Sequence, residues 1–184
     1  MSVFLFSAGS GDLWGSSSDG IVDTDTTSYL GYNGGGGSLV KNWIPFTVNL
    51  PQGLVITSAI LKVIATATRS DYVDLKFGCE AADNPSAPSD WTALNAIIQT
   101  TAFSTIVVPG FTSGNEYTFD ITTAVQEILN RAGWVYGNTL AVFIKNNLTD
   151  AGAFRRFAMV EHASSTEPIL EITFPTHIPS GGMI

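Results

Sequence analysis

Residues able to do chemistry are scarce in this chain. Nucleophilic catalysis needs a base beside its nucleophile, and only His162 and His177 are present. His162 follows Glu161 near the end of a predicted strand, which suits a structural role, and His177 stands close to the end of the sequence. There is no Gly-x-Ser-x-Gly turn to present a nucleophilic serine. Cys79 is the single cysteine, so it forms no internal disulfide, and no second cysteine or histidine lies near it at metal-binding spacing. The run Gly34 to Gly37 lacks the Gly-Lys-Ser/Thr ending of a phosphate-cradling loop. Two carboxylates brought together by the fold could cleave a glycosidic bond, but the supply of acids is thin. These residues assign no catalytic group and no organic cofactor.

Binding chemistry has better raw material. Asp19, Asp23 and Asp25 cluster early, and alternation would put Asp23 and Asp25 on one face, where carboxylates and backbone carbonyls could hold a hard calcium ion. A solvated turn is the competing expectation. Trp14, Tyr29, Tyr32, Trp134 and Tyr136 fall outside the clean strand patterns, as does Trp91. An exposed aromatic face packs against the C–H groups of a pyranose ring, so the first five are candidate contacts to a glycan or to a neighbouring subunit. Tyr29 and Tyr32, in the glycine-rich loop, suit that role best. Covering the core is their other reading.

The 184 residues fit one domain. Only 13% are charged, against about 25% in an average soluble protein. Ser, Thr, Asn and Gly take the place of charge, as on surfaces that spend their life in an assembly. The net charge is −8 and the first basic residue is Lys41. Such a surface repels nucleic acid and anionic membranes. The one basic doublet, Arg155-Arg156, falls in a predicted strand. No apolar run is long enough to span a bilayer, and Val3-Phe4-Leu5-Phe6 is too short, with no basic residue before it, to be an export signal. A soluble chain without membrane insertion is expected. Asn147-Leu148-Thr149 matches a glycosylation acceptor but reads as a polar turn.

The elements that must position these groups are mostly strands. Ala59 to Thr68, Asp71 to Cys79 and Ile169 to Phe174 alternate apolar and polar residues; Lys41 to Val48, Ser104 to Val108 and Arg155 to Glu161 are further strands. In Thr139 to Lys145 both faces are apolar, which predicts burial on both sides. Once only, after Asp120, the period changes: Ile121, Val125, Ile128 and Leu129 recur at helical steps. A helix over 122–132 follows, with Thr123 and Gln126 at capping-box spacing and Gly133 as the stop. Trp91 to Ile98 is ambiguous between a helical turn and irregular chain. About eight strands and one short helix predict an all-β fold, a two-sheet antiparallel jelly-roll β-sandwich.

In this order, Asp19-Gly20-Ile21-Val22, Tyr29-Leu30-Gly31, Ile44-Pro45-Phe46-Thr47-Val48, Leu50-Pro51-Gln52-Gly53, Ile56-Thr57-Ser58-Ala59-Ile60-Leu61, Trp91-Thr92, Phe119-Asp120-Ile121-Thr122, Arg156-Phe157-Ala158 with Glu161, and Pro168-Ile169-Leu170-Glu171-Ile172 resemble the DNRLRE-type domains. These are jelly-roll modules similar to carbohydrate-binding modules. The resemblance spans Asp19 to Phe174 and implies a non-catalytic module, but it carries no ligand residue over. It divides the chain into an N-terminal arm over 1–18, a sandwich over 19–174 and a C-terminal tail over 175–184. Arms of this composition are expected to be held by neighbouring subunits. The expectation is therefore a bacteriophage virion protein, made in the host cytoplasm and placed on the virion surface. It would be a capsid decoration or cement subunit or a tail-associated one, whose partners are other virion subunits, its own copies and cell-surface glycans. A free-standing carbohydrate-binding module or lectin is the alternative.

Overall fold

Alternation of apolar and polar residues builds two antiparallel sheets that share one core. The computed structural model describes residues 1–22, 25–33, 37–163 and 167–175. One sheet has four strands, in the order β1 (Ser2–Ser7), β12 (Ile169–Phe174), β6 (Ser58–Ile64) and β9 (Glu116–Asp120). The other has six: β3 (Gly20–Val22), β2 (Leu13–Ser16), β5 (Val40–Thr47), β10 (Thr139–Asn146), β7 (Val73–Cys79) and β8 (Ser104–Val108). A separate pair joins β4 (Thr27–Gly31) to β11 (Phe154–Ala158). Every pairing is antiparallel. The protein is an all-β antiparallel sandwich.

Ala59, Leu61 and Val63 of β6 and Leu170 and Ile172 of β12 face inward, meeting Leu75 and Phe77 of β7 and Leu140, Val142 and Ile144 of β10. Phe77 and Phe119 stack across the gap between the sheets with centroids 4.5 Å apart. Strand β10 is buried on both faces for a reason visible outside the main core. Its Ala141 and Phe143 form a second small cluster with Leu13, Trp43 and Leu94. The cover over that outer face is helix α1 (Trp91–Ala96), whose start is capped by Asp90 accepting the Ala93 N–H at 2.9 Å. Among the described residues the fold therefore has two helices where one was expected. Six residues are too few to display a helical period, and only Leu94 of α1 is buried.

The second helix, α2 (Thr122–Leu129), is the one the spacing predicts, and it buries Ala124, Val125, Ile128 and Leu129. Its capping differs from the expected box. The Asp120 carboxylate accepts from the backbone N–H of Thr122 at 2.9 Å and from its hydroxyl at 2.6 Å. Gln126 turns away from its own helix start. Its Oε1 accepts the Ile56 N–H at 2.9 Å and its Nε2 donates to the Leu54 carbonyl at 2.9 Å, strapping the β5–β6 connection to the helix. Gln126→Ala should therefore cost about 1–3 kcal/mol in thermal or urea unfolding, because two connection groups lose their partners; a true capping box would show instead as a frayed helix start. The helix ends at Leu129, four residues before Gly133. Gly133 instead leaves room for the Asp83 carboxylate, which pairs with Arg131 at 2.5 Å.

The expected N-terminal arm over 1–18 is replaced by strands. Strand β1 pairs with β12 over its whole length, and β2 pairs with β5. Phe6 turns inward and is buried; Phe4 shares its face, stacked on Phe174 at 5.5 Å, but stays exposed, while Val3 and Leu5 turn to the opposite face. A short run apolar at every position shows no alternation, so its pairing depends on a partner more than 160 residues away. Residues 176–184, most of the expected tail and His177 with it, lie outside the described residues.

Candidate functional site

The five aromatic candidates do not share a surface. Trp14 in β2 is 5% exposed and Trp134 is 2% exposed, so both belong to the core. Trp134 donates its indole N–H to the Leu50 carbonyl at 3.0 Å. Trp14 meets Tyr29 edge-on at 5.2 Å, and Tyr29 meets Phe154 at 5.5 Å. The guanidinium of Arg156 sits 5.1 Å over the Tyr29 ring. Tyr29 belongs to β4, not to the glycine-rich loop, and is half-buried. Tyr136 is 65% exposed, in the connection between α2 and β10. Only Tyr32 opens into a concavity with polar company.

That concavity is a cleft of about 360 Å³ whose lining includes Tyr32, Leu39, Lys41, Trp91, Asn95 and Ser38. Three separate elements build it. Tyr32 follows β4 and bridges to Leu39, Lys41 lies on β5, and α1 supplies Trp91 and Asn95. The Lys41 ammonium is fixed by the Asn95 side-chain oxygen at 2.7 Å and the Asn95 carbonyl at 3.2 Å, and it lies 5.7 Å from the centre of the Trp91 ring. Burial, with repulsion from Lys145, draws the Lys41 pKa below its ordinary value. Two aromatic rings beside an ammonium, an amide and hydroxyls suit a hydroxyl-rich ring better than a reacting bond. Lys41 and Asn95 escaped sequence reading because they stand 54 positions apart in the chain. The one signal was Trp91, an aromatic outside the strand pattern.

Asp19 and Asp12 are engaged within the fold. Asp19 accepts from Ser16 at 2.5 Å, Ser18 at 3.1 Å and Asn33 at 2.5 Å, and the Ser16 bond leads in holding its pKa below the usual range. Asp23 lies outside the described residues, and among the described residues no group of three or more His, Cys, Asp or Glu is placed to hold a metal ion. The carboxyl of Asp12 is fully buried beside Glu161 and accepts the Val160 N–H at 3.1 Å. Burial first, and the Glu161 charge second among the raising effects, push its pKa to about 7. A group so enclosed meets no substrate. A larger hollow of about 550 Å³ runs along α2, but its Gln126, Glu127 and Arg131 side chains are engaged in bonds within the fold.

The other surface that stands out is the outer edge of β1. Met1 is 82% exposed, Val3 56%, Phe4 43% and Leu5 63%. No strand among the described residues pairs on that side. Natural sheets protect such edges with lysine, proline or a bulge. Ser2-Val3-Phe4-Leu5-Phe6-Ser7 has neither charge nor proline.

Comparison with models of known protein families gives no match, and comparison with curated proteins gives none either.

Proposed function

We propose that this chain is a non-catalytic structural or adhesion module that acts as a subunit of a larger assembly. More narrowly, it is a bacteriophage virion protein, a capsid decoration or cement subunit or a tail-associated one, on a jelly-roll scaffold of the DNRLRE kind. The observation that carries this reading is the unprotected apolar edge of β1, which in a free protein invites aggregation and in an assembly becomes contact area. A chain in which only 13% of residues are charged points the same way. The test is the protein composition of purified particles: the reading expects the chain in a fixed copy number per particle, and its absence from washed particles overturns it.

A second reading, a free-standing carbohydrate-binding module or lectin, is favoured by the cleft of Tyr32, Trp91 and Asn95. It expects a glycan-array signal that Trp91→Ala abolishes. An array without signal, with calcium and without it, removes this reading.

A further inference from the structure

We infer that the free edge of β1 pairs with the β1 edge of a second copy of this chain, in antiparallel register about a two-fold axis. The inference deepens the assembly reading and rests on it.

Hydrogen-bond phase identifies the groups involved. The Ala8 N–H donates to the Pro168 carbonyl at 2.9 Å, continuing the register in which Ser7 faces Ile169. Bonded and non-bonded pairs alternate in an antiparallel ladder. Residues 2, 4 and 6 therefore exchange bonds with β12, and Val3, Leu5 and Ser7 direct their N–H and C=O groups to the open side. The Thr173 carbonyl agrees with this phase, since it faces β6 and accepts the Thr57 N–H at 2.7 Å.

A second copy completes these groups by symmetry. With Leu5 opposite Leu5, Val3 faces Ser7; with Phe4 opposite Phe4, Val3 faces Leu5. In either register the outward row carries Val3 and Leu5 and the inward row Phe4 and Phe6, and two four-stranded sheets become continuous. Electrostatics permits this contact although each chain carries −8. Strand β1 has no charge, and the carboxylate across from Leu5, Glu171, is held by Lys62 at 2.8 Å. A foreign strand would find no charge here to select it. Six residues a side make a contact below the about 1,200–2,000 Å² of stable interfaces, so pairing is weak between free molecules and effective where an assembly raises local concentration.

Amide exchange measured residue by residue by NMR across protein concentration tests the inference. The Phe4 and Phe6 amides should be protected at every concentration. Those of Val3 and Leu5 should exchange fast when dilute and slow by at least about tenfold when concentrated. Val3→Pro removes an N–H from the open side while sparing the ladder to β12, and Leu5→Lys places a charge on the outward row. Either change should abolish the concentration dependence and leave Phe4 and Phe6 protected, which reports that the fold survives. Val3 and Leu5 amides that exchange fast at all concentrations overturn the pairing. So does equal protection at all concentrations, which assigns the edge to another segment of the same chain; deletion of 176–184 would identify that segment. If pairing fails while particles still contain the chain, the assembly reading stands and only the partner is wrong.

Discussion

Replacing Arg155 with methionine should destabilise the fold by about 3–5 kcal/mol, the largest effect expected of any single polar residue here. Arg155 is 1% exposed and has no carboxylate partner among its hydrogen bonds. Its guanidinium donates to four backbone carbonyls: Pro109 at 2.8 Å, Phe154 at 3.0 Å, Val108 at 3.4 Å and Asp71. The side chain thus ties the end of β8, the approach to β7 and strand β11 into one knot. Methionine keeps much of the volume but strips a donor from all four carbonyls, those of Phe154 and Val108 in buried bonds and those of Pro109 and Asp71 in partly buried ones. In a domain of this size the melting temperature should fall by about 10–15 °C. Arg155→Lys should recover only part of the loss, since one ammonium cannot span the positions a planar fork reaches. Thermal unfolding of the two variants checks this; a methionine variant within about 1 kcal/mol of the parent contradicts the knot.

Asp12 sets the second large effect, and its sign follows from linkage. Its pKa rises from 3.8 to about 7 on folding. Between these values the folded chain keeps a proton that the unfolded chain releases. The contribution of Asp12 is therefore full below pH 3.8 and is lost as pH climbs to about 7. At about 1.4 kcal/mol per pH unit the loss is about 4 kcal/mol. Asp12→Asn mimics the protonated acid, with an oxygen for the Val160 N–H and an amide directed toward Glu161. The variant should match the parent near pH 4 and exceed it by about 4 kcal/mol at pH 8. Urea unfolding of both proteins at the two pH values decides; parallel stability curves would show that Asp12 titrates normally.

These two groups also show where sequence reading stopped. Strands β6, β7, β10 and β12 and helix α2 were legible because their apolar residues repeat at the period of the element they form. Burial of both faces of β10 was legible for the same reason, although what covers the second face, α1, was not. Arg155 could be placed in a strand from its neighbours, but nothing local says that it turns inward to four carbonyls. Asp12 lies in a stretch read as an arm, so no cue pointed to a buried acid. Trp14 and Tyr29 carry no mark that separates a core aromatic from an exposed one; the tertiary packing around Phe154 and Arg156 decides it. Only Tyr32 among the five aromatic candidates reached the cleft, whose other lining residues come from distant parts of the chain.

Function here depends on one physical property, an apolar edge strand whose open side and outward face a free molecule exposes and an assembly covers. Cys79 makes the edge easy to probe, because it is fully buried and burial pushes its thiol pKa up, so it does not compete for reagent. The most direct measurement is the rate at which a maleimide labels Leu5→Cys in the free protein and in purified particles carrying the same variant. Labelling should be rapid when free and slight or absent in the particle. Equal rates in the two states would contradict an edge covered by assembly.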